Sequence, residues 1–165
     1  MTDILTETQT ILARAIKLDT DPALARAMKQ ILAAAQTNRW QRYDDYGLSL
    51  IPATDQDTDR LRDMHPACQN HAACGPGWFD LLHATFVVIS EKCPGAEWWT
   101  TDIKEKFGAL RVYWSGDLPD DGDLVLDAAE SLSEHVCEEC GAPGSTREGG
   151  WIRTLCDQHH QEQKR

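Results

Sequence analysis

Two apolar stripes at helical spacing open the chain. Ile4, Leu5, Ile11, Leu12, Ala15 and Ile16 lie on one face of a 3.6-residue period. Asp19-Thr20-Asp21-Pro22 then stops that helix and restarts another, with Pro22 suited to a first helical position. Leu24, Ala27, Met28, Ile31, Leu32 and Ala35 form the second stripe. The pattern predicts an antiparallel helical hairpin over residues 1–39. Its apolar face needs a cover, either the later part of the chain or a second copy in a homodimer.

Residues 40–77 follow no period. Trp40, Tyr43 and Tyr46 suit packing at the end of the second helix, while Pro52, Pro66 and Pro76 interrupt any long element. A stretch of this length reads as a linker or a functional loop. Order returns at Trp78. Residues 78–89 are apolar on nearly every side, as a central buried helix is, and Lys92-Cys93-Pro94-Gly95 ends it. Strands are expected over about 97–106 and about 109–115, with a turn at Phe107-Gly108. Leu110, Val112 and Trp114 then share one face, and Arg111 and Tyr113 the other. A last long helix, about 121–136, turns Leu124, Val125, Ala128, Ala129, Leu132 and Val136 inward and Asp127, Glu130 and Glu134 outward. The fold class is α+β: a helical hairpin, a helix–β-hairpin–helix core over 78–136, and a separate tail over 137–165.

That tail carries the strongest chemistry. Cys137, Cys140, Cys156 and His159 form Cys-x2-Cys-x15-Cys-x2-His, a spacing that fits one tetrahedral Zn2+. Gly141 suits the tight turn after the first pair. Arg147 to Arg153 reads as two short strands around Gly149-Gly150, and a helix is expected to carry the second pair. Knuckle, hairpin and helix are the plan of a treble-clef zinc finger. His159 is preferred to His160 because it lies one turn from Cys156. Four filled positions leave no place for a reactive water, so the expected role is structural.

Composition narrows the classes. A chain of 165 residues at 41% hydrophobic can bury a core. The start lacks a basic n-region and an apolar h-region, and no apolar run approaches a membrane span, so a cytoplasmic protein is expected. Cysteines there serve as ligands or buried thiols. The net charge of −11 opposes a nonspecific grip on nucleic acid. No Lys or Arg lies between Val112 and Thr146, where Asp117, Asp120, Asp121, Asp123, Asp127, Glu130, Glu134, Glu138 and Glu139 fall. They form either a solvated helix face or a negative surface for a basic partner.

Two weaker constellations remain. Cys68-x2-His71-x2-Cys74, with His65, His83 or Cys93 as a fourth ligand, suggests a second metal. With an open position it would support a metal-dependent hydrolase. In the hairpin, Lys104, Lys106, Arg111 and Tyr113 share a face. It suits single-stranded nucleic acid, or is the solvated side of a half-buried hairpin neutralised by the acidic helix. Glu105 lands beside Leu110 on the apolar face and needs Arg111 or a backbone donor. Phosphate-binding glycine loops, Gly-x-Ser-x-Gly and His-Glu-x-x-His are absent, so no enzyme is expected.

Cys74-Gly75-x-Gly77-Trp78-Phe79, Ile103-Lys104-Glu105-Lys106-Phe107-Gly108-x-Leu110-Arg111-Val112-Tyr113, Cys137-Glu138-x-Cys140-Gly141-x-Pro143-Gly144 and Gly150-Trp151-x-x-Thr154-Leu155-Cys156-x-x-His159 resemble a family of small phage and prophage proteins. The resemblance covers 74–160 and implies a bacterial or phage source and a zinc-finger ending; it brings no activity with it. The expectation is a non-enzymatic binding protein that engages and inhibits a host protein through the acids of 117–139. That host protein would belong to defence or nucleic-acid handling. The alternatives are a nucleic-acid-binding regulator using Lys104, Lys106, Arg111 and the zinc finger, and a metal-dependent hydrolase at 65–74.

Overall fold

The computed structural model describes residues 4–39 and 51–165. Trp40, Tyr43 and Tyr46 lie outside them. The first stripe forms α1 (Ile4–Ala15) and the second α2 (Pro22–Arg39). Pro22 opens α2, and Asp21 caps it by accepting the N–H groups of Ala23 at 2.8 Å and Leu24 at 3.2 Å. Ala27, Met28, Ile31, Leu32 and Ala35 are buried. They pack on α5 (Phe79–Lys92) and α6 (Asp120–Ser133), so the chain's own later helices cover the stripe.

Residues 51–77 are more ordered than their pattern suggests. They contain α3 (Asp55–Asp59), α4 (Leu61–Met64), β1 (Ala72–Ala73) and a 3-10 turn at Pro76–Trp78. Thr54 and Asp57 close a capping box at the start of α3. Helices of five and four residues hold too little sequence for an apolar period to show.

α5 is buried at Phe79, Leu81, Leu82, Ala84, Thr85, Phe86, Val88 and Ile89, as its continuous apolarity requires. The buried Thr85 hydroxyl donates to the Leu81 carbonyl at 2.7 Å. β2 (Trp98–Lys106) and β3 (Ala109–Gly116) then pair antiparallel. Phe107 and Gly108 both have positive φ, 53° and 79°, the pair a type I′ turn needs to match strand twist. The register sets Lys104 opposite Arg111, Asp102 opposite Tyr113 and Glu105 opposite Leu110. A bulge between Thr100 and Asp102 lets Trp98, Thr100 and Ile103 all point inward. β1 adds in parallel on the far edge of β2, giving the order β1-β2-β3.

α6 stops at Ser133, short of the expected Val136. The Ser133 hydroxyl donates to the Glu130 carbonyl at 2.6 Å and accepts the Leu110 N–H at 2.8 Å. His135 and Val136 follow with tightened bonds to the Leu132 and Ser133 carbonyls, at 2.9 and 3.3 Å. One buried cluster runs from Ile11 through α2, α5 and β2 to Val136. Among the described residues no helix is long and apolar enough to cross a membrane.

Candidate metal centre

Past α6 the chain makes a knuckle, a hairpin and a short helix. Gly141, at φ 76°, turns the knuckle: its N–H donates to the Cys137 carbonyl at 2.8 Å, and the Cys137 N–H donates to the Ala142 carbonyl at 2.7 Å. β4 (Ser145–Arg147) and β5 (Arg153–Leu155) pair antiparallel. The strands therefore flank residues 148–152, which form the loop around Gly149-Gly150, where the pattern had placed the strands themselves. Cys156 is the N-cap of α7 (Asp157–Glu162), which brings His159 one turn along.

These elements gather Cys137, Cys140, Cys156 and His159, with all four ligand atoms within 4.8 Å of one another. Cys140 and Cys156 sulfurs are 3.9 Å apart, and His159 Nδ1 lies 3.5 Å from Cys137 Sγ and 3.3 Å from Cys156 Sγ. A tetrahedron with zinc-like bond lengths has edges of about 3.8 Å between sulfurs and about 3.5 Å between sulfur and nitrogen. The donor set therefore fits a tetrahedral ion that takes all four ligands from the protein. The Cys140 side chain, followed by the backbone N–H groups of Cys156, Cys140 and Glu139, favours the thiolate at Cys137 and holds its pKa well below that of a free thiol. Cys140 is pushed up by its bond to that charge and by burial.

A second layer holds the knuckle, and nothing in the local sequence announced it. Gly77 N–H donates to the Glu138 carbonyl at 2.7 Å, and Gly75 N–H to Glu138 Oε1 at 2.9 Å. The Trp78 indole N–H donates to the Val136 carbonyl at 2.8 Å, and this side chain is fully buried. Glu138, placed by sequence among the surface acids, is 5% exposed and takes Arg153 Nε at 3.2 Å. Glu139 takes the same guanidinium. From the other side the Thr154 hydroxyl donates to the Gly108 carbonyl at 2.6 Å, seating the β2–β3 turn on the β4–β5 hairpin. Gly75, Gly77, Trp78 and Gly108, drawn from the Cys74-Gly75-x-Gly77-Trp78 and Lys104 to Tyr113 motifs, are thus part of the bed on which this centre lies.

The 65–74 residues are not assembled in the same way. His71 Nδ1 bonds Asp59 at 2.6 Å, Cys68 Sγ turns to the Asn70 carbonyl at 3.7 Å, and His65 Nε2 meets His83 Nδ1 at 2.7 Å. Burial pushes the Cys68 thiol up to about 11, and burial with the Glu138, Glu105 and Asp55 carboxylates pushes Cys74 up to about 12. Among the described residues only the C-terminal set brings three or more ligand atoms together. Cys93 is a buried thiol beside Gly122 of α6.

The hairpin's basic face is internally paired. Lys104 Nζ sits 2.6 Å from Asp102 and 5.1 Å from the Tyr113 ring centre, and Arg111 bonds Glu130 at 2.7 Å. Glu105 finds its donor in the backbone: Gly108 N–H at 2.7 Å. On α6, Asp120, Asp121, Asp123, Asp127 and Glu134 are exposed. Burial, then Asp123, raises the Asp127 pKa; burial, then Asp127 and Glu134 against the pull of Arg111, raises that of Glu130. Comparison of the chain with protein-family models, with curated proteins and with solved structures gave no match.

Proposed function

We propose that this chain is a non-enzymatic binding protein of phage or prophage origin. Its tail is a treble-clef finger closed by structural Zn2+, and it engages a basic host protein through the acidic face of α6. In this reading the protein works in the bacterial cytoplasm. The observation that carries the reading is a stripe of uncompensated charge. Asp120, Asp127 and Glu134 are exposed, seven residues apart and so on one helix face, and have no cation among the described residues. Acids at the α6 N-terminus suit the macrodipole, but Glu134 at the C-cap opposes it, so helix stability does not explain the stripe. Such a surface speeds and orients docking of a positive partner.

The metal supplies the rigidity. Binding at sites of this kind is worth about 10–16 kcal/mol apparent, comparable to the stability of a small domain. The nucleic-acid alternative is weakened by Lys104 and Arg111 being neutralised within the fold. The hydrolase alternative is weakened by the scattered partners of His65, Cys68 and His71, and by the absence of a grouped ligand set at 65–74 among the described residues. The test is capture of partners from bacterial lysate by wild type and by the triple variant Asp120→Lys, Asp127→Lys, Glu134→Lys. A basic protein held by wild type, released by salt and lost by the variant supports the reading; equal retention by the variant ends it.

A further inference from the structure

Two exposed aromatic rings flank one carboxylate where the two hairpin tips meet. Phe107 is 70% exposed and Trp151 77%. With Glu105, Lys106, Gly150 and Ile152 they line an open cleft of about 340 Å³. Phe107 occupies left-handed backbone at φ 53°, where Asn or Gly is at ease and a bulky side chain is not. Two bonds hold it there: Gly108 N–H to Glu105 Oε1 at 2.7 Å, and the Thr154 hydroxyl to the Gly108 carbonyl at 2.6 Å. Trp151 follows two glycines at positive φ, and its indole N–H reaches Glu105 Oε2 only at 3.4 Å, a long and weak bond. Glu105 is half-buried and has no cation among the described residues. A half-buried carboxylate, one oxygen of which has only that long bond, thus lines the same cleft as two exposed aromatic rings.

The geometry points to a site for one cationic side chain, an arginine or lysine, presented by a partner protein. Its alkyl stem lies against Trp151 and Phe107 and its charge meets Glu105. Phe107 already hosts the chain's own Lys106, whose Nζ is 5.7 Å from the ring centre; the incoming cation takes the Trp151 side. The chain's net charge of −11 favours such a guest over a polyanion. The site uses no residue of α6 and goes beyond the function proposed above.

The test titrates the metal-loaded, 15N-labelled protein with acetyl-Gly-Arg-Gly-amide and with its neutral citrulline counterpart. The expected result is movement of the Trp151 indole and Gly150 amide signals by the arginine peptide, with the citrulline peptide at least tenfold weaker. Phe107→Asn suits the left-handed backbone, and Glu105→Gln keeps an oxygen for the Gly108 N–H; each weakens binding tenfold or more, while the triple α6 variant binds as wild type. Equal response to both peptides, wild-type affinity in Phe107→Asn, loss in the α6 variant, or stronger movement of the same signals by oligothymidylate overturns the assignment.

Discussion

Gly77 lies directly against Glu138, its N–H donating to the Glu138 carbonyl at 2.7 Å across sixty residues of sequence. A Cβ at Gly77 would run into the carbonyl oxygens of Cys137 and Glu138 and the N–H of Cys140. All three are backbone atoms of the knuckle and cannot rotate away. Gly77→Ala is therefore expected to push the knuckle off its bed. The cost is at least the ~1–3 kcal/mol of overpacking, and the ion should pass to a competing chelator at least tenfold faster. Chelator-competition kinetics check it; unchanged metal release would show that this contact does not support the centre.

The two ion pairs at Glu138 and Lys104 differ in burial, and the energies should follow. Arg153 meets Glu138, whose side chain is 7% exposed, whereas Lys104 and Asp102 are 41% and 44% exposed. Arg153→Met leaves a buried carboxylate without its cation and should cost about 3–5 kcal/mol. Lys104→Met, at a solvent-screened surface pair, should leave the urea midpoint nearly unchanged. Urea midpoints of the two variants decide between this order and its reverse.

His65 gives the protein an acid limb. Burial first, then His83, lowers its pKa from 6.5 to about 4. The unfolded chain takes up a proton below about 6.5 that the fold does not accept until about 4. Stability thus falls as pH drops through that window and levels off below it. The His65 ring stacks on Phe86 at 5.1 Å, so His65→Phe keeps an aromatic contact while removing the titration. Any proton-driven loss of a bound ion would be common to both proteins and so cancels in the comparison. The difference in urea stability between pH 7 and pH 5 should be smaller in the variant; matching differences would remove His65 from the account.

Thr154 reaches across to the β2–β3 turn and is fully buried there, donating to Gly108 at 2.6 Å. Thr154→Val keeps the shape and strands the Gly108 carbonyl. The expected loss is about 1–3 kcal/mol, with faster hydrogen exchange at residues 105–110. An unchanged exchange pattern would mean that the two hairpins are held together elsewhere.

What the sequence disclosed follows from the range of each interaction. The Ile31 and Leu32 stripe, the buried face of α5 and the register of Lys104 on Arg111 are periodic or local, so they were legible. Cys137 to His159 was legible because knuckle and helix fix ligand spacing within each pair. The bed formed by Gly75, Gly77 and Trp78 was not, because a glycine that admits a distant backbone looks like any other glycine. The compact spacing of Cys68, His71 and Cys74 misled for the converse reason. Spacing does not tell where side chains point, and Asp59 takes His71 outward while Cys68 turns into the core. Glu138 misled likewise, since its cation lies fifteen residues on in the neighbouring strand.

The most direct measurement is metal content by elemental analysis of purified protein, followed by limited proteolysis before and after chelation. One zinc per chain is expected, held by Cys137, Cys140, Cys156 and His159, with a tail from about residue 137 onward that becomes protease-sensitive once the ion is removed. A chain that carries no zinc, or a tail whose protease resistance survives chelation, would contradict it.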